Sequence, residues 1–449
     1  MSFYSWIKNK SRHPKLVFAR NLCIRIRFVF FKKVKLFFLV PARKRRHFRL
    51  VCRLRKKEKK ITVLFIVHHA SQWKYQGLLE LMIQSQIYDP TILIAPDPQR
   101  QNWTYDQKVA VGKFSNDSNV GLIFAYDALG EFCLSSKDLS FDLVFFPKSI
   151  EGKNPLSIMN FKNSLCCYVP YSTYGDNNPE LQYNRIFHNL LWKHYVATEI
   201  HQKMSQEVSF TKASNVVVSG YPAFDLYLHA KSASKPSGDS WPSTEKYKII
   251  WAPHHSIEES EMFSNHSTFL RYFQFFQNLV RQFQDEVFFA FKPHPNLRQK
   301  LYDNNNWGQK RTDQYYEFWD QENNSILVEG TYEKLFLGSD AIIHDSVSFM
   351  AEYLCLKKPA CYLVKNKKNH KKFLNEFGLL LLEVHKHALS EEDITDFISI
   401  VVAGEKVGNF ERSHTEVVKT LNPYPETPSS KVIFEDLDIA LNTEHKNFN

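Results

Sequence analysis

The sequence predicts an α/β protein of two Rossmann-like, doubly wound domains facing a cleft, preceded by a basic helical arm. From residue 60 onward, short β-branched and aromatic runs alternate with longer helix-like stretches, the pattern of parallel strands joined by helices. A chain of 449 residues exceeds one ordinary domain and suits two of roughly 200 residues each. The charge is divided: residues 1 to 60 hold 21 of the 58 Lys and Arg and one acidic residue, Glu58, so that segment carries +20 and the remainder −9. With 43% apolar residues, and 37 Phe against 14 Gly, disordered and collagen-like chains are excluded.

The arm, residues 1–59, comes first. Its longest apolar runs, such as LFFLV, are far short of the ~20 residues that span a bilayer. Basic residues interrupt every stretch that could act as a secretory signal. On a helix, Leu16, Ala19, Cys23, Ile26, Phe30, Val34 and Phe37 form one stripe, with Arg20, Arg27 and Lys35 on the other side. Such a segment suits the surface of an anionic cytoplasmic leaflet. Packing on the body and nucleic-acid binding are the alternatives, and the phenylalanines from Phe28 to Phe48 favour lipid. Seven scattered cysteines with no CxxC pair predict reduced thiols in a cytosolic compartment.

The N-terminal domain is expected over 60–230, with strands at 61–69, 90–96, 121–126, 141–147, 165–171, 194–198 and 215–222, and helices around 73–88 and 181–193. Near-continuous apolar runs imply strands covered on both faces. A Ser-, Pro- and Lys-rich linker at 231–246 separates it from a C-terminal domain at 247–420. There the strands fall at 247–255, 286–295, 324–330, 340–346 and 359–364, with a long helix between 262 and 285. A tail at 421–449 holds the DxD pair Asp436 and Asp438, read as a solvated helical segment.

Open α/β sheets present their strand-end loops to the ligand crevice, and four polar clusters fall there. They are His68 and His69 with Ser71; His254, His255 and Ser256; Lys292 and His294; and His344, Asp345, Ser346 and Ser348, followed one turn later by Glu352. Asp345 and Ser346 are also good N-cap types for the helix that follows, whose start suits an anion. No HxH or HExxH spacing and no Walker-type loop occurs, so neither a metal site nor a P-loop nucleotide site is expected.

The stretch SDAIIHDSVSFMAEYLCLKKPACYLV (339–364) resembles the signature of CDP-glycerol glycerophosphotransferases of the teichoic-acid polymerase type. KPHP (292–295), WAPHHS (251–256) and SGYPAFD (219–225) are similar to that family's other motifs, in the same order. The resemblance implies a GT-B fold and attack by an acceptor hydroxyl on the β-phosphorus of a CDP-alditol, releasing CMP. It implies His294 beside the pyrophosphate as acid or positive charge. His254, His255, Lys292, Asp345, Ser346, Ser348 and Glu352 are then expected around the nucleotide and its phosphates. Where the family carries a His-bearing WHGTPLK-like segment this chain reads CYVPYSTYGDNN (167–178), so His69 is expected as acceptor base and Ser172, Thr173 and Tyr174 as acceptor-site residues. The expected enzyme is peripheral to the cytoplasmic membrane face, needs no bound cofactor, and decorates a surface polymer such as teichoic acid, capsule or lipopolysaccharide on a glycan or lipid-linked acceptor. A GT-B glycosyltransferase using a nucleotide sugar and a non-catalytic polyanion-binding scaffold are the alternatives.

Overall fold

A computed structural model describes residues 14–98, 103–115, 120–228, 241–258, 266–366, 370–405 and 410–441; side chains at 14–29, 370 and 410–414 are not described. Most of the linker, at 231–240, and the arm-stripe side chains from Leu16 to Ile26 lie outside that description. The first sheet comprises β1 (Ile61–Val67), β2 (Tyr88–Ile94), β3 (Gly121–Phe124), β4 (Leu143–Phe146), β5 (Leu165–Tyr168), β6 (Lys193–Val196) and β7 (Val216–Val218). The second comprises β8 (Tyr247–Ala252), β9 (Val287–Phe291), β10 (Ser325–Leu327), β11 (Ala341–His344), β12 (Ala360–Leu363) and β13 (Lys386–Ala388). Their orders, β3-β2-β1-β4-β5-β6-β7 and β10-β9-β8-β11-β12-β13, both reverse beside the first strand of the unit. Ligand crevices in such sheets open at that reversal, which here is β1/β4 and β8/β11.

The strands sit where the apolar runs place them, and β4, β5, β9, β11 and β12 are buried throughout. β13 escapes the sequence reading because Lys386, His387 and Ala388 form no apolar run. The expected helix at 181–193 is two short ones, Pro179–Tyr183 and Ile186–Leu190, and its last residue, Lys193, opens β6. The long helix of the second unit is Phe269–Gln282, and residues 259–265 before it are outside the described set. Its Phe276 stacks on Trp251 of β8 at 3.9 Å between ring centroids.

The arm is helix α1 (Pro14–Arg55), and the boundary at residue 59 does not separate it from the body. Leu36 and Val40 join the core under one face of the first sheet, with Leu64 and Ile66; Leu50 and Leu54 join the core under the other, with Ile61 and Val63. The stripe members Phe30, Val34 and Phe37 point away, at 63%, 39% and 65% exposure. The helix therefore has two apolar faces, one spent on packing and one left outside.

The tail is likewise part of the N-terminal unit. Helices α2 (Gln76–Ser85) and α3 (Trp103–Phe114) follow β1 and β2, and the last helix, Ser429–Leu441, packs Ile433, Leu437 and Leu441 into the core that holds Ile61 and Tyr88. Asp436 accepts from Lys193 Nζ (2.7 Å) and Tyr195 Oη (2.8 Å), and Asp438 from Tyr88 Oη (2.6 Å), so the DxD pair is not a solvated segment. Its start is held by the SGYPAFD motif. Asp225 accepts the backbone N–H groups of Ser429 (2.7 Å) and Ser430 (2.8 Å), satisfying two of the helix's otherwise unpaired donors. Gly220 has φ +77°, and a Cβ there would lie 2.4 Å from Ser429 Oγ.

Candidate active site

Three strand-end histidines share one local device. His69, after β1, His254, after β8, and His294, after β9, each accept at Nδ1 the backbone N–H of the residue two positions on: Ser71 (3.2 Å), Ser256 (3.3 Å) and Asn296 (3.1 Å). An imidazole that accepts at Nδ1 carries its proton on Nε2. Each ring therefore offers an Nε2–H donor in an orientation set by the backbone.

For His69 that donor has a partner. Its Nε2 lies 3.1 Å from Asp106 Oδ1 on α3, and its Nδ1 is 2.7 Å from Ser71 Oγ. Ser71, His69 and Asp106 thus form a hydroxyl–imidazole–carboxylate chain, the arrangement that activates hydroxyls by proton transfer. His69 was expected at the site; Asp106 was not, because it sits in the first turn of a helix 37 positions away in sequence, without any motif.

Across the cleft, His254, His255 and His294 converge, with a nitrogen of each within 4.8 Å of the others and the His255 and His294 rings stacked at 4.1 Å. Spacing alone would let a cation bind. The backbone donors at Nδ1 of His254 and His294, however, leave their Nε2 atoms protonated, which suits an anion better than a metal. Burial pushes the pKa values of His254 and His294 well down, and those of His255 and His266 to about 4. Neighbouring imidazoles, His69 among them, push His294 the same way. Both effects disfavour a positive charge on His294, so of the two expected roles the geometry suits the Nε2–H donor better. The local cation is Lys292, buried, with its pKa lowered by burial to about 8 while Glu329 and Glu333 oppose the fall.

The β11 cluster departs further from expectation. Asp345 is wholly buried: Oδ1 accepts from the His254 N–H (2.5 Å), and Oδ2 from Thr268 N–H (2.5 Å) and Oγ1 (2.7 Å). Its carboxylate, raised to about 6 by burial, fixes the His254 loop and is not turned to a nucleotide. Glu352 is also buried, accepting from Tyr332 Oη (2.6 Å) and lying 3.6 Å from Lys74 Nζ of the N-terminal unit, so it joins the two units and has no ligand-facing surface. Ser346 is the N-cap of the helix Val347–Leu354 but makes no side-chain cap bond; its hydroxyl meets Ser348 Oγ at 3.0 Å. That leaves both hydroxyls and the helix start available to phosphate oxygens.

His68 and His344 are structural. His68 Nδ1 is bonded to the Ala95 carbonyl, and burial lowers its pKa to about 3. His344 Nδ1 is 3.0 Å from the Ser346 carbonyl. The expected acceptor residues lie on a seam between the units. The Thr173 carbonyl accepts from His201 Nε2, Tyr174 Oη meets Tyr168 Oη at 2.7 Å, and Asn375 Nδ2 donates to the Tyr174 carbonyl at 2.6 Å. Thr173 is buried, and Ser172 and Tyr174 are half-buried, Tyr174 being tied on two sides. Tyr174 therefore joins the contact with the second unit, Thr173 is held within the first, and both line a small pocket together with Ser172.

The sequence profile described as CDP-Glycerol:Poly(glycerophosphate) glycerophosphotransferase matches residues 173–400, just over half of the chain. The chain belongs to this family. Its members' description makes it a glycerophosphotransferase-type enzyme. Among solved structures, the wall teichoic acid polymerase TagF aligns with a TM-score of 0.55 at 11% identity, covering 93% of this chain and 98% of that one. A UDP-N-acetylglucosamine 2-epimerase aligns at 0.51 and 14% identity over 87% and 98% of the two chains. MnaA of S. aureus with UDP aligns at 0.50 and 14% over 86% and 97%. At such identities the likeness concerns the GT-B fold. No curated protein is a significant sequence match.

Proposed function

We propose that this enzyme transfers glycerol phosphate, or a closely related alditol phosphate, from a CDP-activated donor to a hydroxyl of a cell-surface glycan or lipid-linked acceptor. The observation that carries the reading is the nearness of two groups of complementary chemistry: the Ser71–His69–Asp106 chain on one unit, and the His254, His255, His294 and Lys292 cluster on the other, where His69 lies close enough to act on the charge of His294. The acceptor oxygen bonds to the β-phosphorus as the bond from that phosphorus to the bridging oxygen breaks, and CMP leaves. The acceptor proton passes through Ser71 to His69 Nδ1, and Asp106 stabilises the imidazolium that forms. His254 and His294 donate from Nε2, and Lys292 supplies positive charge, where negative charge grows on the leaving phosphate. Ser346, Ser348 and the following helix start hold further phosphate or ribose oxygens.

The reading extends to location. No helix among the described residues is long and apolar enough to cross a membrane. α1 exposes Phe30, Phe31, Phe37, Phe38 and Phe48 beside exposed Lys33, Lys35, Arg45 and Arg49, the composition of an interfacial helix on an anionic leaflet.

Purified protein incubated with CDP-glycerol or CDP-ribitol and a lipid-linked acceptor is expected to release CMP in step with acceptor extension. Consumption of a nucleotide sugar, with no CMP from any CDP-alditol, would replace this reading with sugar transfer.

A further inference from the structure

Away from the cleft, a groove of about 450 Å3 runs between α1 and the β6–β7 margin of the first sheet. That volume is within the range of small-molecule sites. Val40, Phe48 and Val51 from α1 and Trp192 and Val217 from the sheet give it apolar walls. Its charged lining is basic: Arg43, Lys44 and Lys193, with no carboxylate among the described lining residues.

Arg43 is the informative one. It is 8% exposed, donates from Nη2 to the Phe161 carbonyl (2.8 Å) and to Cys166 Sγ (3.1 Å), and its Nε has no partner. Among the described residues no carboxylate pairs with it. A buried guanidinium without a counter-anion is held at a cost, which a bound anion relieves. Lys193 is already paired with Asp436, whereas Lys44 reaches across the groove only to the Ser214 hydroxyl, at 2.9 Å. His47, one turn from Arg43, is kept uncharged by burial and by Arg43 itself. Phe48 both lines the groove and is 71% exposed, so the mouth continues into the aromatic face of α1.

From the buried unpaired Arg43, the basic rim and the apolar walls, we propose that this groove binds one anionic phospholipid, with its phosphate at Lys44 and Arg43 and an acyl chain along Val40, Phe48, Val51 and Val217. The proposal deepens the membrane reading given above, and its test separates the two. A short-chain phosphatidylglycerol below its micelle concentration probes the groove alone; flotation on phosphatidylglycerol vesicles probes the surface of α1.

Titration of the full chain, followed by native mass spectrometry, is expected to show one saturable lipid. Ser214→Trp, which plugs the groove from an exposed position, and Lys44→Glu, which reverses the rim charge, should each weaken it roughly tenfold or more. Phe37→Ser/Phe38→Ser should lose flotation and keep the bound lipid. Should wild type fail to float yet still bind the short-chain lipid, the membrane reading falls and the groove stands. Absence of the one-to-one complex overturns the proposal, as does wild-type affinity in both Ser214→Trp and Lys44→Glu. Equal binding of short-chain phosphatidylcholine, or binding of inorganic phosphate as tight as that of the lipid, overturns it too.

Discussion

His69 and Asp106 set the clearest expectations at the scale of single residues. Asp106→Asn keeps the size of the side chain and removes the charge that stabilises a protonated His69. Transfer should fall by about 100-fold or more, on the scale of general acid–base contributions, with the KM for the CDP-alditol little changed; an unaltered turnover would remove the pair from the mechanism. His294→Ala should lose about 100-fold or more in transfer through its missing donor, and its thermal midpoint should stay near wild type because the ring is half-buried at a strand end. Lys292 gives a pH signature. Its pKa, lowered to about 8, keeps it charged below that pH and discharges it above. The KM for the donor should therefore rise between pH 8 and 9.5, and Lys292→Met should abolish that rise. The strand-end histidines were legible in the sequence because a His after an apolar run has few other places to go. Their partners were not: Asp106 reaches His69 from a helix with no motif around it, and Asp345 is held by Thr268, far away in sequence.

Whole elements were legible wherever the chain carries an apolar run, at the buried strands β4, β5, β9, β11 and β12 and equally at the edge strands β3, β7 and β10, and illegible at the edge strand β13, which carries none. α1 shows a subtler limit. A periodic stripe announces an apolar face but not which partner covers it, and here Leu36, Val40, Leu50 and Leu54 pack on the sheet while the stripe read from sequence remains outside. Deleting residues 1–59 would strip both cores as well as the outer face, so point substitutions are the sound probe of membrane contact. At the other end, Asp225→Ala should cost about 1–2 kcal/mol, the usual loss when helix N-terminal donors lose their acceptor. The loss should appear as a lower midpoint in urea with the circular-dichroism helix signal otherwise intact, and an unchanged midpoint would mean that water serves Ser429 and Ser430 equally well.

Across the whole molecule, Lys74, Tyr332 and Glu352 tie the two units by buried bonds: Lys74 Nζ donates to Tyr332 Oη at 2.7 Å, and that hydroxyl donates to Glu352 at 2.6 Å. Tyr332→Phe removes the hydroxyl that serves both charges and should destabilise by about 1–3 kcal/mol, the range for buried bonds to charged groups. Calorimetry should show the fall, and a wild-type transition would mean that the Lys74–Glu352 pair suffices. Helix α1 and the helix Ser429–Leu441 meet on the same unit: Arg55 of α1 donates to the Ala440 carbonyl at 2.9 Å, and Ser429–Leu441 fills the core that β1 and β2 begin. That closure gives synthesis an order. The ribosome makes the first sheet early, yet Leu437 and Leu441 emerge only after all of the second unit, so the first of these two units to be started is completed after the second. During translation at about 5–20 residues per second, its apolar flank must wait, uncovered, for the whole second domain to be made.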